Sequence, residues 1–124
     1  MIQPQTIVKI ADNSGGTIGR VFKVLGSSKK RYARIGEMVI LSVQKAQPRK
    51  ATKKKDVLYA VVVRQKAPFR RKDGSYVRFD ENAVVIVSKE KREPVAGRVF
   101  GPIPRELGDT ESFKKIISLA PEVV

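Results

Sequence analysis

The sequence contains no cysteine, no histidine and no tryptophan, and each absence removes a class of chemistry. Without cysteine there is no disulfide, no thiolate nucleophile and no cysteine-based zinc site. Without histidine the commonest general base and the commonest metal ligand are missing. Aromatic residues make up only 6% of the chain, so base stacking cannot be its main mode of recognition. We therefore predict a protein that is not an enzyme and holds neither a metal nor another cofactor.

Long apolar runs are missing as well. No stretch of about 18 apolar residues is available for a membrane-spanning helix, and the first residues lack the pattern of a secretory or transit peptide. We therefore expect a soluble, cytoplasmic protein. A length of 124 residues with 41% hydrophobic residues predicts a single domain over residues 1–124 with one hydrophobic core.

Acidic residues are scarce and unevenly distributed. Lysine and arginine number 26 against 12 aspartates and glutamates, so the net charge is +14. The stretch from Arg20 to Arg78 alone carries a net +15, and the remainder carries −1. Such a concentration of like charge destabilises a compact chain by self-repulsion, and a polyanion that releases its counterions relieves the repulsion.

The excess positive charge falls into three clusters that lie between apolar runs. The candidate nucleic-acid-binding residues are Lys29, Lys30, Arg31 and Arg34; Arg49, Lys50, Lys53, Lys54 and Lys55; and Arg64, Lys66, Arg70, Arg71 and Lys72, together with Arg78. A solvated surface would explain one such cluster, but three without balancing acids favour a nucleic acid. An anionic membrane surface is a weaker alternative because no basic amphipathic helix accompanies the charge.

Short apolar stretches separated by turn residues predict a mainly β protein. Most of Glu37–Val43 and all of Val57–Val63 are apolar on both faces, which is typical of strands in a closed or covered sheet. Asp73-Gly74 predicts a hairpin turn. These features together indicate a small β-barrel.

The apolar residues of the C-terminal region recur with the period of a helix instead of a strand. Phe113, Ile116, Ile117 and Ala120 recur at the spacing of one helix face. Asp109, Thr110 and Glu111 are suited to the start of this helix, and Pro121 ends it. We therefore predict a C-terminal helical segment over about residues 104–120.

Three other motifs invite a catalytic or ligand-binding interpretation and fail it. The run Gly15-Gly-Thr-Ile-Gly19 lacks the Gly-Lys-Ser/Thr ending of a phosphate-binding loop. Asp80 and Glu81 are adjacent, and neighbouring residues of a strand point to opposite faces, so the two carboxylates cannot act as a pair. Asp12 is not followed by the further carboxylates that a calcium loop requires.

A spaced pattern in the second half of the chain resembles a known signature. It consists of Ala60-Val-Val-Val63, Asp73-Gly74, Phe79, Asn82 and Val85-Ile86. Further matching segments are Ala11–Gly15, Arg31–Ala33, Val99–Pro102, Arg105–Leu107 and Lys115–Val123. In this order they cover essentially the whole chain and resemble the large-subunit ribosomal protein fourteen family, of the bacterial type.

The resemblance implies a small closed five-stranded β-barrel with a projecting basic hairpin and short C-terminal helices. It also implies a structural constituent of the large ribosomal subunit that binds large-subunit rRNA. Members of the family contribute to intersubunit bridges with small-subunit rRNA and touch a neighbouring large-subunit protein, the nineteenth. The same face resembles the docking surface of a ribosome-silencing factor, and on the matching positions Arg98, Arg105 and Lys115 would belong to it.

Two alternatives remain open at the level of the sequence. A free nucleic-acid-binding barrel would use aromatic platforms, for which Tyr32 and Phe69 are the candidates, although each could equally anchor its loop. The apolar C-terminal residues could form a protein-docking surface or only pack the helices onto the barrel.

Overall fold

The computed structural model describes residues 2–26, 29–50, 52–109 and 113–124. Its strands are β1 (Ile7–Ile10), β2 (Gly16–Val24), β3 (Met38–Ala46), β4 (Val57–Arg64), β5 (Phe69–Arg70), β6 (Tyr76–Val77), β7 (Ala83–Val87), β8 (Pro102–Ile103) and β9 (Glu122–Val123). A 3₁₀ helix spans Arg105–Asp109, and an α-helix, α1, spans Lys114–Leu119. The prediction of a mainly β protein with little helix is confirmed.

Strands β1, β2, β3, β4 and β7 close into a barrel. Neighbouring strands are antiparallel except for β1 and β7, which pair in parallel. Closure gives every strand two hydrogen-bonded neighbours and removes the free edges that an open sheet would expose. The predicted five-stranded barrel is therefore confirmed.

The apolar runs are continuous because the same strands are buried on both faces. Ala60 and Val62 of β4 belong to a core to which all five barrel strands contribute, and which fills the barrel interior. Val61 and Val63, on the opposite face of β4, belong to a second core outside the barrel. The prediction of one hydrophobic core is wrong in this respect, because a strand covered on both faces separates two apolar clusters.

The C-terminal segment covers the outer core. Val99, Ile103 and Leu107 lie buried against the outward faces of β4 and β7, and Phe113 and Ile116 join them from the start of α1. Each fully buried apolar side chain contributes roughly 1.5–3 kcal/mol to the stability of the fold. The segment therefore adds a layer to the barrel.

The predicted helix periodicity is confirmed in its apolar face and its end. Ile117 and Ala120 pack against the outer core, and Ala120 is already extended ahead of Pro121. The predicted start is too early, because α1 begins at Lys114 and Asp109 belongs to the 3₁₀ helix. Thr110 and Glu111 lie outside the described residues.

The strand directions divide the connections between two ends of the barrel. Segments 11–15, 47–56 and 88–94 leave at one end, which we call the Gly15 end. Segments 25–37 and 65–82 leave at the opposite end, which we call the Gly36 end. The basic clusters predicted from the sequence are thereby distributed over both ends.

Candidate nucleic-acid interface

The second basic cluster lies at the Gly15 end, on the connection between β3 and β4. Arg49, Lys50, Lys53, Lys54 and Lys55 are all exposed there. The connection is held against the turn that precedes β2, because the Gln47 amide donates to the Gly15 carbonyl at 2.7 Å and the Thr52 amide donates to the Ser14 carbonyl at 3.1 Å. The cluster is therefore presented on a backbone that the barrel supports.

Asp12 fixes the turn on which that connection rests. Its carboxylate accepts hydrogen bonds from the Ser14 amide at 3.1 Å, the Ser14 hydroxyl at 2.6 Å and the Ile86 amide of β7 at 2.9 Å. Burial raises the pKa of Asp12 above its ordinary value of 3.8, and the three hydrogen bonds oppose this rise. Asp12 thus links the 11–15 turn to the barrel wall, and its role is structural.

A cleft at the Gly15 end brings together residues that the sequence assigned to different sites. It encloses about 400 Å³, and Lys50 and Arg98 both line it. Arg98 arrives there because its carbonyl accepts a hydrogen bond from the Asn13 amide at 3.3 Å. Lys9 also lines the cleft. Lys9 is not among the residues that the sequence pattern singles out, although it follows the outward-facing Ile7 by two residues on β1 and therefore shares its face.

The first cluster lies at the Gly36 end. Arg31 and Arg34 are exposed, and Lys29 is exposed beside them. Lys30 differs because it forms an ion pair with Glu37, which also accepts a hydrogen bond from the Arg34 amide at 3.1 Å. Glu37 therefore shapes this connection and neutralises one of its cations.

The third cluster lies at the same end, on segment 65–82. Lys66, Arg70, Lys72 and Arg78 are exposed. Arg71 is only 13% exposed, because its guanidinium pairs with Glu106 of the 3₁₀ helix at 2.7 Å and donates to the Val124 carbonyl at 2.8 Å. Arg71 is therefore engaged within the protein, unlike its neighbours.

Arg64 differs most from the sequence-based assignment. The sequence pattern groups Arg64 with the surface cations. In the structure it is the last residue of β4, and its side chain is only 4% exposed. Its Nη1 donates to the carbonyls of Phe100 and Pro102, both at 2.9 Å, and its Nη2 donates to Glu81 at 3.1 Å. Burial lowers the pKa of Arg64, and Glu81 raises it in part. The assignment of Arg64 to a nucleic-acid surface is therefore not supported by its position.

The aromatic candidates differ in exposure. Tyr32 is 44% exposed, whereas Phe69 is partly buried in β5. Phe22 of β2, Tyr76 of β6 and Phe100 of the C-terminal segment are exposed as well. The four exposed rings come from four different segments, whereas single-strand binders stack bases on a multi-residue platform. The geometry therefore favours recognition of phosphates over recognition of bases.

The three residues of the predicted C-terminal face have different neighbours. Arg98 borders the cleft at the Gly15 end, and Arg105 borders a cleft with Arg70 and Lys72 at the Gly36 end. Lys115 of α1 is 64% exposed and pairs with Glu93 at 2.9 Å. Its ammonium lowers the pKa of Glu93, through their hydrogen bond first and their charge attraction second. The immediate surroundings of Arg98, Arg105 and Lys115 therefore differ, and the assignment of the three to one face stays a prediction.

A comparison with protein-family models identifies the chain. The model described as Ribosomal protein L14p/L23e matches residues 1–124. The chain belongs to this family. The match covers every described strand of the barrel and the C-terminal layer that packs on it.

Membership of the L14p/L23e family makes the chain a structural constituent of the large ribosomal subunit, associated with the ribosome and its RNA. It implies a ribosomal location in the cell. Ribosomal proteins of this kind are generally structural and non-catalytic. None of the helices in the described ranges is long and apolar enough to cross a membrane.

Proposed function

We propose that this chain binds large-subunit rRNA through phosphate contacts made by the basic connections at both ends of the barrel, and that it is not a catalyst. The observation that carries the proposal is the lack of acidic partners. Among the described residues, the candidate cations form no ion pairs apart from Lys30, Arg64, Arg71 and Lys115. Exposed cations without counter-charges gain most from a polyanion, since each phosphate contact releases condensed counterions.

The support of these cations by the barrel favours folded RNA as the partner. Folded RNA presents closely spaced phosphates and 2′-hydroxyl groups that proteins recognise largely by shape. Recognition by shape requires cations at fixed positions, and the 47–56 connection is tied by backbone hydrogen bonds to residues 14 and 15. We therefore exclude Arg64 from the interface and keep the exposed residues of the three clusters.

Salt dependence tests the proposal directly. With about 10 phosphate contacts, the plot of log affinity against log salt should have a slope on the order of −7 to −9. Reversing Lys53, Lys54 and Lys55 to Glu should weaken binding to deproteinised large-subunit rRNA and make the slope shallower by at least 2, since each lost contact removes about 0.7–0.9. Reversing Lys89, Lys91 and Arg92, which are also exposed, is the charge-matched control and should change the slope less. A wild-type slope near −1 would contradict phosphate-based binding.

Sedimentation tests whether the chain is an integral component of the subunit. We expect it to stay with the free large subunit on a high-salt gradient at low magnesium. Release to the top of the gradient would favour a loosely bound nucleic-acid module instead.

We further propose that the C-terminal layer contributes to intersubunit bridges with small-subunit rRNA, contacts the nineteenth large-subunit protein and offers a surface to a ribosome-silencing factor. Support comes from the exposure of Arg98 and Lys115 and from the resemblance over their segments. Lys115→Glu should leave the fold intact, because its pair with Glu93 is exposed and contributes little, and should impair subunit joining or factor docking. Wild-type behaviour in both assays would contradict this surface.

A further inference from the structure

The β5–β6 hairpin and the 3₁₀ helix form the two walls of a charged cleft. The cleft encloses about 520 Å³, and its lining residues are Arg70, Arg71, Lys72, Asp73, Arg105 and Glu106. Every lining residue is ionisable. Protein–protein interfaces are depleted of charged residues at their core, so this composition favours a nucleic-acid ligand over a protein.

Arg71 holds the two walls together. Its Nε lies 2.7 Å from Glu106 Oε1, and its Nη2 donates to the Val124 carbonyl at 2.8 Å. The Arg105 amide donates to the same Val124 carbonyl at 3.0 Å. A half-buried ion pair and a shared acceptor therefore fix the hairpin turn relative to the 3₁₀ helix.

The turn of the hairpin is itself ordered by local hydrogen bonds. Asp73 accepts from the Ser75 amide at 3.0 Å and from the Ser75 hydroxyl at 2.6 Å, and the Gly74 amide donates to the Arg71 carbonyl at 3.0 Å. These bonds to Ser75 are the main cause of the lowered pKa of Asp73, with smaller contributions from Arg105 and Arg71. Asp73 is therefore an anionic part of the turn. Arg105 and Arg71 attract its carboxylate, although no ion pair joins it to a cation of the described residues.

Three cations of the cleft remain available. Arg70, Lys72 and Arg105 are exposed and form no ion pair with any described residue. Arg70 and Lys72 lie on the hairpin wall and Arg105 lies on the 3₁₀ wall. The contacts of Arg71 hold these two walls together. Arginine can grip a phosphate with two parallel hydrogen bonds, and lysine acts on it as a point charge.

We infer that this cleft is a binding site for the phosphodiester backbone of large-subunit rRNA, with Arg70, Lys72 and Arg105 as its ligands and Arg71 with Glu106 as its scaffold. The inference rests on the proposed RNA binding and deepens it. It reassigns Arg105, which the resemblance implied for an intersubunit or silencing-factor face, to a contact within the large subunit.

Directed hydroxyl-radical cleavage tests the reassignment, and the absence of native cysteine makes single-cysteine tethering unambiguous. Iron-EDTA is attached in turn to Lys72→Cys, Arg105→Cys and Lys53→Cys variants assembled into large subunits. We expect the tethers at 72 and 105 to cleave overlapping large-subunit rRNA nucleotides in the free subunit. Cleavage of small-subunit rRNA alone from position 105, seen only after subunit joining, would overturn the inference.

The tether at position 53 distinguishes failure of the cleft as a binding site from failure of the proposed RNA binding as a whole. Cleavage from 53 without cleavage from 72 and 105 would overturn this cleft as a site and leave the proposed RNA binding intact. No cleavage from any of the three positions, in subunits that contain the protein, would overturn the proposed function itself.

Affinity provides a second readout. Arg105→Gln should weaken binding to deproteinised large-subunit rRNA about tenfold, which corresponds to about 1.4 kcal/mol, because it removes a charge-assisted hydrogen bond to phosphate. Arg92→Gln, at an exposed arginine outside this cleft and outside the three basic clusters, is the matched control and should have a smaller effect. Should Arg105→Gln bind rRNA like wild type but lose binding to polyglutamate, the cleft would be a site for acidic polypeptide and the inference would be wrong.

Discussion

The guanidinium of Arg64 occupies the space that a side chain at residue 101 would need. Gly101 lies between the two carbonyls that Arg64 binds, those of Phe100 and Pro102. A Cβ built on Gly101 would lie 2.6 Å from Arg64 Nη1. The position of the Arg64 guanidinium therefore depends on the absence of a side chain at residue 101, and its hydrogen bonds hold the C-terminal segment on the barrel.

Gly101→Ala should destabilise the fold by about 2–4 kcal/mol. The backbone of Gly101 has φ +80°, which costs a non-glycine residue about 1 kcal/mol or more. The new methyl group would also displace the buried guanidinium from its carbonyls, and an unpaired buried polar group costs about 1–3 kcal/mol. Urea unfolding measures the change.

Two other glycines separate the causes of this loss. Gly74 has a left-handed backbone with φ +91°, whereas the backbone of Gly97 is not left-handed. A Cβ added at either residue would meet no atom within 4 Å. Gly74→Ala should therefore show the backbone cost alone, and Gly97→Ala should be nearly neutral. Equal effects at residues 101 and 74 would contradict the steric part of the argument.

Arg64→Lys should destabilise the fold although it keeps the charge. A lysine ammonium lacks the planar fork, so it cannot bind both carbonyls and Glu81 in the geometry of the guanidinium. We expect a loss of about 1–3 kcal/mol in unfolding free energy, the cost of leaving a buried polar group without its partner. The salt slope of RNA binding should not change, because Arg64 is buried. A shallower slope with unchanged stability would restore Arg64 to the RNA interface.

The sequence was sufficient to predict the barrel because its strands are marked by continuous apolar runs. The pattern of Val57–Val63 predicts a strand buried on both faces. In the structure, alternate residues of β4 face two different cores. The second core was not predicted, because its other half comes from the C-terminal segment. A pattern within one strand does not reveal which distant segment covers its outer face.

The sequence was sufficient to predict the positive charge of the candidate site, but not which of its cations are exposed. Arg64 and Lys66 are two residues apart in sequence, yet one ends buried under the C-terminal segment and the other is exposed. Only the long-range pairing of β4 with that segment distinguishes them. The ion pairs of Glu81 with Arg64 and Lys9 depend on the same long-range packing.

Gly15→Ala should move the second basic cluster and weaken RNA binding. Gly15 has φ +116°, and a Cβ there would clash with Lys50 Cβ. The clash involves the root of the Lys50 side chain, so relief requires the 47–56 backbone to shift. We expect about 1–3 kcal/mol of lost stability and weaker binding to rRNA, measured by unfolding and by titration on the same preparation. Gly36→Ala, at φ +86° with open space around the added methyl, is the control. Unchanged RNA affinity in Gly15→Ala would show that the position of this connection does not matter for binding.

Asp12 should make stability fall as pH rises above 3.8. The folded chain holds the Asp12 proton to a higher pH than the unfolded chain does, because burial raises the pKa of this carboxyl from its ordinary 3.8. Between these two values the folded state binds more protons, so the unfolding free energy decreases with rising pH. The stability of wild type minus that of Asp12→Asn, from urea unfolding at pH 3 to 7, should fall through this window. The same difference for Asp73→Asn should rise with pH instead, mainly below pH 3.8, since hydrogen bonds from Ser75 lower the pKa of Asp73 from its ordinary 3.8. A difference that rises for Asp12 as well would mean that its three hydrogen bonds outweigh the cost of burial.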